Sequence, residues 1–269
     1  MLVNGKSDNL ISIRDRGLLY GDGVFRTLRA SNGHALHWPL HYKKLQHDCT
    51  ALGIACPDVE LLSAELNDLL VQHPDGAVKL IVTRGEGARG YSPFMQSMPT
   101  RIWDVFPLPG YPVDWAVHGI KARLCQLRLS QQPRLAGIKH LNRLENVLAA
   151  AEWDDADIAE GVLLDAHGNV IEGTRSNLFM VRNGVLLTPD LSRCGVAGVQ
   201  RERVMEWAAT HNVTCRVEQF GLAELFTADE VFMVNSVIGL WPVRELQDRT
   251  WSRHPVAMQV QKWLNHALG

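Results

Sequence analysis

Lys139 and His140 lie among apolar residues in 135-LAGIKHLNRLENVLAA-150, company that a lysine usually avoids. From Leu141 onward, Leu141, Leu144, Val147 and Leu148 recur at helical spacing, with Asn142, Arg143, Glu145 and Asn146 on the other face. The pattern predicts a helix that begins just after Lys139, with its apolar residues on one face. A helix start presents unpaired N–H groups and partial positive charge, which disfavour an ammonium. Burial disfavours it further, so both effects favour the free amine, which at neutral pH is a nucleophile and a base.

Two downstream features complement such an amine. Glu172 falls where a strand-like VIEG meets Gly173, so its carboxylate can project from a strand end. In 195-GVAGVQRER-203, small residues lead into a helical pattern, so the backbone N–H groups of Val199 and Gln200 can hold an anion such as phosphate. An amine, a carboxylate and a phosphate cradle together match the needs of pyridoxal 5'-phosphate. The amine bonds to its aldehyde, the carboxylate keeps its pyridine nitrogen protonated, and the cradle fixes its phosphate.

The elements that must position these groups are legible in outline. FRTLRA (25–30) reads as a strand turning at Ser31-Asn32-Gly33 into HALHW. Pro39 suits the first turn of a helix through LHYKKLQHDCTALGI, with Leu45, Cys49 and Leu52 inward. A second helix, DVELLSAELNDLLVQH, precedes a central strand, AVKLIVTR. The proline-rich 105-VFPLPGYPV-113 marks a linker at 107–113 between an N-terminal α/β domain (1–106) and a C-terminal α/β domain (114–269) that carries the lysine. The second domain reads as strand KARLCQLRL, the lysine segment, and a meander of GVLLD, VIEG, SNLFMV and VLLTP. Helix GVQRERVMEWAATH, a short LAELFTA, strand EVFMVNS and a terminal helix AMQVQKWLNHAL follow. The fold class expected is α+β.

Composition narrows the function. The 269 residues carry 27 basic and 29 acidic side chains, a net charge of -2, which argues against a nucleic-acid or membrane surface. No signal peptide or membrane span is expected. Five scattered cysteines suggest reduced thiols and a cytoplasmic setting. His34, His37 and His41 cluster, but Pro39 interrupts them and no metal site is expected. The sequence GEGARG at 85–90 fits G-x-G-x-x-G, yet YSPFMQSMPT follows it with two prolines and no helical period, so a dinucleotide site is rejected. The loop does offer Arg84, Arg89 and Tyr91 as donors for a carboxylate.

The span 172-EGTRSNLFMVRNGVLLTPDLSRCGVAGVQR-201 resembles the signature of the fold-type IV (class IV aminotransferase) pyridoxal-phosphate enzymes, a two-domain, D-amino acid aminotransferase-like fold. Glu172, Thr174, Asn177, Leu178, Phe179, Leu186, Thr188, Val196, Gly198 and Arg201 fall at the pattern's positions. The similarity runs from 15-DRGLLYGDGVFRTLR-29 to 231-VFMVNSVIGLWPV-243. It implies that Lys139 bonds to the cofactor, that Glu172 partners the pyridine nitrogen, and that Val199, Gln200 and Asn235 hold the phosphate. Lys44 stands where the family commonly has a phosphate-binding arginine. Arg89 and Tyr91 match positions that meet substrate carboxylates, and Thr27 matches a pocket hydroxyl facing the substrate. LAGIKHLNRLE, RGEGARGYS and Asn235 are most similar to the lyase branch, which converts 4-amino-4-deoxychorismate to 4-aminobenzoate and pyruvate in folate biosynthesis. The alternative is a class IV aminotransferase acting on D- or branched-chain amino acids. A homodimer is implied in either case.

Overall fold

The computed structural model describes residues 1–93 and 98–266, so parts of the YSPFMQSMPT loop and the end of the last helix pattern lie outside the described residues. The chain divides into two compact units: Met1–Pro109 with Ile138–Asn142, and Gly110–Gly137 with Arg143 onward.

The first unit contains β1 (Leu2–Val3), α1 (Arg16–Tyr20), β2 (Gly23–Ser31), β3 (His34–Ala35), α2 (Trp38–Leu52), α3 (Val59–Gln72), β4 (Gly76–Thr83) and β5 (Thr100–Phe106). Its antiparallel sheet has the order β1-β5-β4-β2-β3. The β2–β3 turn places Asn32 and Gly33 at φ 52° and 76°, the backbone that an Asn-Gly pair tolerates best. β2 alternates strictly: Val24, Arg26, Leu28 and Ala30 are buried, while Phe25, Thr27 and Arg29 are half-exposed on the opposite face. The buried side packs with Leu45 and Cys49 of α2, Leu62 and Leu66 of α3, and Trp103 of β5. Each such fully buried aliphatic side chain contributes about 1.5–3 kcal/mol.

The second unit contains α4 (Val113–His118), β6 (Ile120–Leu129), α5 (Leu144–Ala150), β7 (Ile158–Asp165), β8 (Val170–Gly173), β9 (Asn177–Arg182), β10 (Val185–Pro189) and α6 (Val199–Thr210). It continues through β11 (Cys215–Glu218), α7 (Leu222–Leu225), β12 (Glu230–Asn235), β13 (Gly239–Leu246), β14 (Arg249–Thr250) and α8 (Pro255–His266). Its sheet runs β11-β10-β9-β12-β13-β6-β7-β8, with β14 on β13. β9 and β12 are covered on both faces. Leu178 and Met180 point into one core, and Phe179 and Val181 into another, where Phe179 stacks on Phe232 with centroids 5.3 Å apart. Burial on both faces accounts for the unbroken apolar runs LFMV and VFMV. No helix among the described residues is long and apolar enough to cross a membrane.

β5 extends to Phe106, and the units divide at Pro109/Gly110, inside the 107–113 segment read as the linker. Other sequence expectations need correction. The lysine segment clusters with the first unit, not the C-terminal one, because its backbone pairs with the β2 edge. Phe25 N–H donates to the Lys139 carbonyl at 2.9 Å, and Leu141 N–H to the Gly23 carbonyl at 3.0 Å. This pairing also delays the helix, so α5 starts at Leu144 with Arg143 as its cap. Lys139 therefore lies in an extended segment, not at a helix start. The apolar face of α5 is turned outward: Leu144, Val147 and Leu148 are 68%, 61% and 54% exposed, and the small Ala149 is buried.

Candidate active site

Lys139 belongs to the first unit. Lys139 is half-buried, with Nζ 4.5 Å from the centroid of the Phe25 ring. Lys79 Nζ lies 5.4 Å from the same ring. Thr27 is two residues from Phe25 on the same face of β2 and in register with Lys79, so its hydroxyl shares the face that carries that ring. Beneath this face, Arg26 of β2 (2% exposed) meets Asp48 of α2 (0% exposed) in a buried ion pair. Asp48 also pairs with Lys44 one turn earlier, approaches His47 Nδ1 at 3.1 Å, and accepts the Lys139 backbone N–H at 3.0 Å. Burial alone would raise the Asp48 pKa. The charges of Arg26 and Lys44, with these hydrogen bonds, more than offset it and hold the carboxyl below its usual range.

Asp48 and Arg26 were not singled out from the sequence, although a signal was present. Asp48 shares the inward stripe of Leu45, Cys49 and Leu52, and Arg26 shares the inward alternation of Val24 and Leu28. Opposite charges at two core positions point to each other. Lys44, expected to hold a phosphate, pairs with Asp48.

The DRGLLYGDG segment has a structural explanation. Asp15 caps α1 by accepting from Gly17 N–H at 2.8 Å, and it also accepts from the hydroxyls of Thr83 and Thr100. Asp22 receives Arg16 Nε at 2.8 Å and both arms of Arg84 at 2.8 and 3.0 Å. Arg84 further donates to the carbonyls of Leu52 and Gly53, so it is a fixed brace and not a loop donor. Arg16 donates to the carbonyls of Gly90 and Tyr91, which ties down the end of the GEGARG loop. Arg89 is exposed on that loop, and Tyr91 is exposed beside Tyr20, their ring centroids 5.4 Å apart. Among the described residues, no helix follows Gly90 before β5.

Glu172 belongs to the second unit. Glu172, near the end of β8, is 4% exposed and accepts the Val196 N–H at 2.8 Å. Burial lowers the pKa of Arg143, and the Glu172 charge opposes that shift. Gly195 has φ 84°, and a Cβ there would meet Ile171 and Leu191 at 2.8 Å, so only glycine lets this loop pass. Asn177 then brackets the turn: its amide donates to the Val196 carbonyl at 2.7 Å, and its oxygen accepts from Gly198 N–H at 3.1 Å. α6 starts at Val199 with no side-chain cap, although Val199 and Gln200 are buried. A buried, uncapped helix start directs N–H groups and partial positive charge at whatever covers it.

Glu160 of β7 braces the adjoining turn. It accepts from the Thr174 hydroxyl, from Thr174 N–H at 3.1 Å and from the Ser176 hydroxyl at 2.8 Å. Asn235 donates to the Arg175 carbonyl at 3.1 Å and accepts from the N–H groups of Val237 and Ile238, which fixes the bend after β12. Arg201, a position of the signature, bonds the Thr188 hydroxyl and the Pro189 carbonyl and so anchors α6 on β10.

Residues 23–246 match the model of the class IV amino-transferases. The chain belongs to that family. It is 37% identical to an aminodeoxychorismate lyase of Vibrio harveyi, over 90% of this chain and 89% of the relative. It is 27% identical to a D-alanine aminotransferase of Bacillus licheniformis, over 100% of this chain and 96% of that protein. Among solved structures, a 4-amino-4-deoxychorismate lyase from Pseudomonas aeruginosa superposes with a TM-score of 0.95 at 45% identity, covering 98% of each chain. The fold is therefore the α+β, fold-type IV one, and the family is pyridoxal-phosphate dependent. The residues of this chain fit that group: a half-buried lysine against an aromatic ring, a buried carboxylate fixed by a backbone N–H, and a buried helix start with no side-chain cap.

Proposed function

We propose that this chain is a pyridoxal-phosphate-dependent carbon–oxygen lyase that converts 4-amino-4-deoxychorismate to 4-aminobenzoate and pyruvate. The observation that carries the reading is the 45% identity and 0.95 TM-score to the Pseudomonas aeruginosa lyase over almost the whole of both chains. The 37% identity to the Vibrio harveyi lyase, against 32% to a putative branched-chain-amino-acid aminotransferase of Methanocaldococcus jannaschii and 27% to the D-alanine aminotransferase, favours the lyase over amino transfer.

In this reading, Lys139 bonds to the cofactor and Glu172 holds the proton of the pyridine nitrogen. The Val199 and Gln200 amides, with Asn235, receive the phosphate; Lys44 stays on Asp48 as a further positive charge. When bound, the cofactor supplies an electrophilic aldehyde and a protonated ring that withdraws electrons. Once the substrate amine has displaced it from the cofactor, Lys139 Nζ would be free to take the proton from the substrate carbon bearing that amine and to return a proton as the departing enolpyruvate becomes pyruvate. The bond to the enolpyruvyl oxygen breaks, pyruvate leaves, and the ring becomes aromatic. Arg89 and Tyr91 bind the carboxylates of the dianionic substrate, and Thr27 offers a hydroxyl beside it. Chemistry of this kind needs mainly orientation and one proton transfer, which suits a fixed lysine and arginine donors on an exposed loop.

The protein works as a cytoplasmic homodimer. Leu144, Val147 and Leu148, spaced along one face of α5, leave apolar surface in water that a second copy would cover. Sedimentation at micromolar concentration should give twice the 30.0 kDa chain mass, and a monomer would refute the dimer. The activity is tested by assaying purified holoprotein for 4-aminobenzoate and pyruvate against amino transfer to α-keto acids. Transfer without aromatic product would overturn the lyase reading.

A further inference from the structure

The most buried ionic cluster of the first unit lies under the lysine segment, and no step of the proposed reaction uses it. Asp48 joins three pieces of chain: its own helix α2 through Lys44, strand β2 through Arg26, and the 138–142 segment through the backbone N–H of Lys139. That last bond is made by the same residue whose side chain lies over Phe25. The segment is otherwise held to the β2 edge by Phe25 N–H to the Lys139 carbonyl and Leu141 N–H to the Gly23 carbonyl. Edge pairing alone sets register but leaves a short segment free to twist about the strand direction. A further bond from the Lys139 N–H to a carboxylate fixed by two cations in a packed core removes that freedom.

We infer that Asp48 is a positioning residue for Lys139: held by Arg26 and Lys44, it clamps the Lys139 peptide and thereby sets the direction of the Lys139 amine. This rests on the reading of Lys139 as the reactive lysine. A misplacement of about 1 Å in such a group can cost about 10²-fold in rate. Asp48 has no contact with substrate in this scheme and acts only through the backbone of Lys139. Arg26 is needed because a carboxylate buried without a partner would not stay ionised.

The test compares R26M/D48L with R26M/D48N. Both remove the buried guanidinium together with the carboxylate charge, so neither strands an ion of that pair in the core. Only asparagine keeps an oxygen able to accept the Lys139 N–H. In cofactor-free protein, hydrogen exchange at the Lys139 amide should be about tenfold faster in R26M/D48L than in R26M/D48N, the scale of one lost hydrogen bond. In holoprotein, kcat should fall about tenfold between the same two variants while KM stays nearly constant, as expected when placement of a reacting group is lost and substrate binding is kept. Equal exchange, or unequal exchange with equal kcat, overturns the proposal, as does a kcat difference with no exchange difference. Should R26M/D48L fail to fold, R26M/D48S gives the same contrast, because a serine oxygen is too short to reach. Borohydride trapping of wild-type holoprotein separates this from the functional reading. Labelling of a peptide lacking Lys139 would remove the lyase mechanism, whereas the amide-exchange comparison would still report whether Asp48 holds the segment.

Discussion

Asp48 and Glu172 are both buried carboxylates beside residues assigned to the reaction, yet their surroundings differ in kind. Asp48 is enclosed by the side-chain charges of Arg26 and Lys44, with His47 Nδ1 close to one oxygen and a backbone N–H besides. Glu172 is oriented by the backbone, through Val196 N–H, with the Arg143 charge nearby. A carboxylate saturated by fixed cations is a joint: its charge is spent on holding β2, α2 and the lysine segment together. A carboxylate that accepts a peptide N–H has its direction set by the backbone. The contrast predicts that damage near Asp48 appears first in stability, and damage at Glu172 first in rate.

The largest effect should come from Lys139, the residue proposed to transfer the proton. Lys139→Ala should reduce 4-aminobenzoate formation by about 10²–10⁴-fold or more, the scale of a positioned proton-transfer group. An alanine variant that turns over normally would end the mechanism. Next, Arg26→Ala should cost about 3–5 kcal/mol in chemical denaturation, because it removes the main partner of a fully buried carboxylate. A melting curve like the wild type would show that Asp48 is no joint. Glu172→Gln should lower kcat by about 10²-fold, the scale of one pre-organised polar group, with little change in melting temperature. Loss of stability with unchanged kcat would reverse the comparison.

A smaller effect is expected at the helix start. A Cβ on residue 198 would lie 2.5 Å from the Asn177 amide oxygen, so Gly198→Ala should cost about 1–3 kcal/mol through overpacking and weaken cofactor binding. Titration of apoprotein with pyridoxal phosphate, followed by absorbance, would detect it; unchanged affinity would argue against this turn as the phosphate seat. Acid should have the mildest effect. Folding lowers the pKa of Asp48 and of Asp22, so the folded state binds fewer protons than the unfolded chain at these sites. Their stabilisation is complete above the ordinary aspartate value of 3.8 and is lost as pH falls toward the depressed folded values. Urea midpoints should therefore drop below about pH 4 in the wild type, and less steeply in R26M/D48L. An equal slope in both would remove Asp48 from the acid response.

Much of the fold was legible because local rules agreed with each other. The alternation in FRTLRA, the Asn-Gly turns, the inward stripe of Leu45 and Cys49, and the apolar runs of β9 and β12 each point to one element. The lysine segment misled for a physical reason: its leucines have helical spacing, but backbone pairing with β2 competes for the same N–H groups and prevails through Leu141. Periodicity also identifies an apolar face without telling whether it faces a core or water, and α5 turns Leu144, Val147 and Leu148 outward. Arg84 read as a donor for substrate because its spacing places it by the loop, whereas Asp22, 62 residues away, claims it.

By itself, the sequence determined the chemical inventory: which side chain can be a nucleophile, which carboxylate closes a strand, which glycines permit an anion-binding turn. It also carried the family pattern from Glu172 to Arg201. Tertiary structure alone decided which charges are spent on each other. Arg26 and Asp48 are 22 positions apart and Lys139 is 91 positions from Asp48, distances over which local propensity carries no information. Burial makes those pairings obligatory, because an ion in a packed core must find its partner there or give up its charge.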